Sequence, residues 1–80
     1  MRQFIKNIKG LQGIYTVEEV RDLLGLTETE LEDLCERHGL WPYETNGGEH
    51  IFTSYGYLTL NNRLYREECQ AAGVEPIIYD

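Results

Sequence analysis

Carboxylates crowd one short stretch of this chain. Glu28, Glu30, Glu32, Asp33 and Glu36 fall between Glu28 and His38 with Arg37 as the single base, a net charge of -4. Acid–base catalysis needs carboxyl groups whose pKa is moved by burial or by a close like charge, and a small solvated helix supplies neither. No serine or cysteine stands with a base and an orienting group at an informative spacing. No glycine-rich phosphate loop occurs, because Gly47 and Gly48 belong to a turn. An enzyme is therefore not expected. Metal chemistry is the other option: Cys35-x-x-His38 could present two zinc ligands on one helical face, with His50 and Cys69 completing a tetrahedral set. The cysteines lack the tight pairing of a zinc motif and the set would span three elements. Neither metal nor cofactor is expected, and both cysteines read as reduced, buried thiols. What remains for the acids is recognition.

The elements that position them announce their own ends. Thr16 with Glu19, and Thr27 with Glu30, have the S/T-x-x-E spacing of a capping box. Gly25 and Gly39 stand where a left-handed residue would stop each helix. The spacing predicts short helices over residues 17–24 and 28–38, joined by a turn of about three residues as in a helix-turn-helix. Val20, Leu23 and Leu24 of the first, and Leu31, Leu34 and Cys35 of the second, should turn inward. Pro42 discourages helical angles at Trp41, so the chain goes over to a strand. Asn46-Gly47-Gly48 then reads as a hairpin turn between Tyr43–Thr45 and Glu49–Phe52. Trp41 and Tyr43 alternate across that strand; either both are core, or one packs in the core and the other is exposed as an interface anchor. Thr53 or Ser54 caps a third helix over residues 55–72, closed by Gly73, with an apolar arc that includes Tyr57, Leu60, Leu64, Tyr65 and Cys69.

Eighty residues make a single domain with one modest core, in the size class that buries about 60% of its unfolded surface. The expected core spans about residues 14–72, with an N-terminal arm at 1–13 and an apolar tail at 74–80. Phe4, Ile8 and Leu11 could share a helical face in the arm, although Gly10 and Gly13 argue against a long helix. Arg2, Lys6 and Lys9 make residues 2–14 the one clearly basic segment, in a chain whose formal net charge is -7. That charge repels polyphosphate and suits a soluble protein with a basic partner. No apolar run reaches membrane-spanning length and no signal peptide is recognisable, so a cytoplasmic protein is expected, with no membrane partner. The tail ends in Ile77, Ile78 and Tyr79, either a docked strand or a sticky end.

Tyr15-Thr16, Leu24-Gly25-Leu26, Gly39-Leu40 with Pro42, and Gly47-Gly48 followed by Phe52 and Thr53 or Ser54 occur in this order. The pattern resembles the winged helix-turn-helix of the MerR and excisionase-like superfamily over roughly residues 14–70. The resemblance implies a mainly α fold with a small β-hairpin: two short helices, a two-stranded wing and a longer third helix. In DNA-binding members the second helix enters the major groove and the wing reaches phosphate or the minor groove, both surfaces rich in arginine, lysine and small polar residues. This sequence departs from that pattern. Its second helix is acidic, and Tyr43–Thr53 carries a net charge of -2. Duplex affinity depends largely on basic side chains that neutralise phosphates.

The acidic helix is thus either a plain solvated face, an interface for a basic protein surface, or a DNA reader by an unusual route. The expectation is a small non-enzymatic adaptor or regulator docking on a partner protein with a basic surface. Glu28, Glu32, Asp33 and Glu36 would contact it from the helix, and Trp41, Tyr43, Glu44, Asn46, Glu49 and His50 from the wing. Tyr57, Tyr65, Ile77, Ile78 and Tyr79 are candidates for self-association, as in a homodimer, or for a tail contact. The alternative is a sequence-specific DNA-binding regulator with phosphate contacts from Arg2, Lys6, Lys9, Arg21 and Arg37, on the arm or across a dimer. No small-molecule substrate is expected.

Overall fold

A computed structural model describes residues 2–77. The elements run β1 (Ile14–Thr16), α1 (Val17–Leu24), α2 (Glu28–His38), β2 (Tyr43–Glu44), β3 (His50–Thr53) and α3 (Ser54–Ala72). Both capping boxes form: Thr16 Oγ1 accepts from Glu19 N at 3.1 Å while Glu19 returns a bond to Thr16 N at 2.9 Å, and Thr27 and Glu30 repeat the exchange. Those backbone donors hold both glutamates' pKa values below the ordinary carboxylate value. Gly25 and Gly39 close α1 and α2 at φ of 69° and 66°, which an L side chain adopts only with strain. Thr53, of the two candidate caps, starts α3 by accepting from Gly56 N.

The sheet is larger than the expected two-stranded hairpin. Its order is β1-β3-β2, all antiparallel, with Tyr15 opposite Phe52 and Tyr43 opposite Ile51. The third strand comes from residues read as the end of the arm and the approach to α1. Three residues are too few to show alternation, so only the pairing partner identifies them as a strand. The hairpin turn also differs in type. Asn46 and Gly47 have no positive φ; Gly48 does, at 81°, and the turn closes through Gly48 N to Thr45 O at 2.9 Å. A type I turn followed by a left-handed glycine gives a three-residue loop instead of the Asn-Gly turn with two positive φ values.

The inner sheet face puts Tyr15 and Phe52 onto Val20, Leu24, Leu31, Leu34, Cys35, Tyr57 and Leu60, the contiguous core. Tyr15 and Tyr57 stack at 4.7 Å between ring centroids. Leu23, expected inside, is half exposed, because eight residues of α1 present only Val20 and Leu24 squarely to the core. The arm is irregular and lies along α3. Asn62 binds both backbone groups of Ile5, and Asn61 Nδ2 donates to Gln3 O. No helix among the described residues is long and apolar enough to cross a membrane.

Candidate functional site

One concave surface lies between the start of α1, the length of α2 and the β2–β3 hairpin. It is an open groove of about 680 Å³. Leu31, Cys35 and Phe52 form its floor, Val17, Trp41 and Pro42 its apolar sides, and Glu18, Glu28, Glu32, Glu49 and His50 its polar rim. The capping boxes explain why the rim is acidic. Each box fixes where its helix begins, which sets Glu18 in the first turn of α1 and Glu28 in the first turn of α2, where the helix dipole favours an anion. Glu32 follows Glu28 by four residues, one helical turn further along the same side. The hairpin brings Glu49 and His50 across from them.

The rim carboxylates stand apart from many other acids in the chain. Glu19 and Glu30 are tied into capping boxes, Asp33 and Glu67 bind Arg37, and Glu68 binds Arg2. The side-chain carboxylates of Glu18, Glu28, Glu32 and Glu49 have no hydrogen-bonding or ion-pair partner among the described residues, although the Glu49 backbone bonds to Thr45. Their influence reaches the floor, where burial first and the Glu32 charge second push the Cys35 thiol pKa up. Cys35 and Cys69 are both buried thiols, not a disulfide.

Trp41 gives the groove its exposed apolar surface. Of Trp41 and Tyr43, at least one was expected in the core, yet both are exposed, at 55% and 64%. Tyr15, Phe52 and Tyr57 already fill the space beneath the sheet, and β2 lies on its edge, so neither ring is needed inside. Covering the exposed part of an indole is worth on the order of 1.5–3 kcal/mol, against about 0.2–1 kcal/mol for each exposed ion pair. In such a groove the apolar contact supplies more of the affinity, while the charges select the partner and speed the encounter.

Of the expected interface residues, Glu28, Glu32, Trp41, Glu49 and His50 come together here. Asp33 lies instead in a smaller depression with Leu26, Thr29, Glu30, Leu34, Arg37 and Leu64. Glu36, Tyr43, Glu44 and Asn46 are exposed but line neither surface. Sequence reasoning did not place Val17, Glu18, Pro42 or the floor residues Leu31, Cys35 and Phe52 in an interface; for Val17 and Glu18 the Thr16 cap that orients the first turn of α1 was the available signal. The expected self-association residues are corrected in part. Tyr57 and Tyr65 are buried, at 8% and 6% exposure, so neither offers a docking surface. Tyr65 does make a tail contact, its hydroxyl accepting from Ile77 N at 2.8 Å, and Ile77 itself is exposed. Ile78 and Tyr79 lie outside the described residues.

The candidate phosphate contacts lie in different surroundings. Arg2 is largely buried, binds both Glu68 oxygens at 3.0 and 3.1 Å and donates to Leu24 O at 2.8 Å. Arg37 is held by Asp33 at 2.7 Å and by Glu67. Arg21 has its Nε buried without a partner among the described residues. Lys6 and Lys9 are exposed on the arm. No group of three or more His, Cys, Asp or Glu side chains among the described residues is placed to hold a metal ion. The chain shows no significant match to any protein-family model, curated protein or solved structure.

Proposed function

We propose that this chain is a small winged helix-turn-helix protein of the cytoplasm that catalyses nothing and docks on a partner protein through α2 and the hairpin. The observation that carries this reading is the groove: four carboxylates with no side-chain partner among the described residues, around an apolar floor, on the faces where a DNA-reading protein of this type would need basic side chains. Phosphate would meet repulsion on this side of the molecule, and a basic protein surface would meet attraction. Arg2 and Arg37 are already engaged with acids of α3, which removes two of the cations a DNA-binding mode would draw on.

The competing reading is a DNA-binding regulator that uses Lys6 and Lys9 with a second copy. Titration against random-sequence duplex DNA at about 50 mM salt, with oligomeric state followed in the same samples, separates the two. Non-specific affinity is strongest at low salt and reaches about micromolar for a true DNA binder. No binding is expected. A complex that weakens steeply as salt rises would overturn the docking reading.

A further inference from the structure

The groove is specific about what fits it. Its floor and sides are mainly apolar, from Val17, Leu31, Cys35, Trp41, Pro42 and Phe52, with no arginine or lysine among the lining residues. The charge around this apolar strip comes from α1 and α2 on one side, through Glu18, Glu28 and Glu32, and from Glu49 of the hairpin on the other. A flat basic surface would touch the rim and leave the floor wet. A purely apolar segment would bury its face against four carboxylates that have no side-chain partner among the described residues, and leaving a charge unpaired on desolvation is costly. The complement is a narrow segment with one apolar side chain pointing down and cations to either side. The half-exposed indole of Trp41 adds a preference for cations, since lysine and arginine are attracted to the face of an aromatic ring.

Resting on the docking reading above, we infer that the groove binds a single lysine- or arginine-rich segment of a partner protein, anchored by one aliphatic side chain set between its cations. The aliphatic group covers Leu31, Cys35 and Phe52; the cations pair with Glu28 and Glu32 on one side and with Glu49 on the other. Asp33 and Glu36, although on the same helix, take no part, because neither lines the groove.

The test uses the whole protein and a synthetic peptide with four lysines around a central leucine. Trp41 is the chain's one tryptophan and stands at the groove, so its fluorescence reports occupancy. Saturable binding is expected, with a dissociation constant on the order of 100 µM or tighter. Replacing the leucine by glycine, or the lysines by glutamine, should weaken it at least tenfold. The Glu32→Lys/Glu49→Lys variant should lose at least tenfold, while Asp33→Lys/Glu36→Lys stays within about threefold. Trp41→Ala, followed by calorimetry, should also lose about tenfold. Circular dichroism and melting temperature confirm that each variant is folded. Binding lost in Asp33→Lys/Glu36→Lys but kept in Glu32→Lys/Glu49→Lys would overturn the groove and leave docking through the acidic helix standing. A change in Trp41 fluorescence with protein concentration alone would name a second copy as the occupant and overturn the inference. No peptide binding would overturn the occupant; joined to DNA binding at low salt, it would remove the docking reading as well.

Discussion

Glu67 is the residue on which the α2–α3 contact turns. Its Oε2 accepts from Arg37 Nη1 and lies 2.8 Å from His38 Nε2, so one carboxylate of α3 holds the last turn of α2. Burial raises its pKa, but the bonds from Arg37 and His38 outweigh that and leave it below the ordinary 4.5. A folded-state pKa below the unfolded one contributes stability that is complete above the ordinary value and is lost as pH falls through the folded value. Glu67→Gln should therefore destabilise the protein at pH 7 by up to about 1 kcal/mol, the scale of partly exposed pairs. At a second pH well below 4.5 the difference should be smaller, because the wild-type carboxyl protonates as pH falls through its folded value. Urea unfolding of both proteins at the two pH values measures this, and an equal gap at each would contradict it. At this scale the sequence identified the residue types well and their partners poorly. Arg37 was legible as an i,i+4 mate of Asp33, whereas its bond to Glu67 spans thirty positions, a separation only the fold closes.

Among the elements, the arm shows how a segment without regular structure is held. Asn62 Oδ1 accepts from Ile5 N at 2.8 Å and its Nδ2 donates to Ile5 O at 2.9 Å, so one amide stands in for a neighbouring strand. Asn61 secures Gln3 O, and Arg2 bridges the last carbonyl of α1 to Glu68 of α3. Asn62→Ala should cost about 1–3 kcal/mol, since the Ile5 amide and carbonyl lose their partners. It should also speed hydrogen exchange at the Ile5 amide while that of α2 stays protected at low denaturant. An unchanged Ile5 rate would show that apolar packing, not the asparagine, secures the arm. Helix limits were readable because caps are local: Thr16, Thr27, Gly25, Gly39 and Gly73 all act within about four residues of their own position. The strand at Ile14–Thr16 was not readable, since its identity comes from Phe52 and its neighbours on β3. Two adjacent asparagines inside α3 carried a usable signal, because asparagine is a poor residue for a helix interior unless its side chain has work elsewhere.

For the molecule as a whole, charge is sorted by face. Arg2 and Arg37 pair with acids of α3, whereas the carboxylates of the groove between α1, α2 and the hairpin have no side-chain partner among the described residues. The net charge of -7 and the acidic second helix were legible from composition alone. The concavity was not, because it arises where α1, α2 and the hairpin meet over a core that Tyr15, Phe52 and Tyr57 share, and that meeting is a property of the fold. The proposed docking role predicts where a partner must be touched. A photo-cross-linking amino acid placed at Trp41, in the groove, should capture a protein with a lysine- or arginine-rich segment in cells that make this chain, and the cross-link should map to that segment. The same group at Tyr55, exposed at the start of α3, should not capture it. Nucleic acid trapped at position 41, or equal capture of the same protein from positions 41 and 55, would contradict the account.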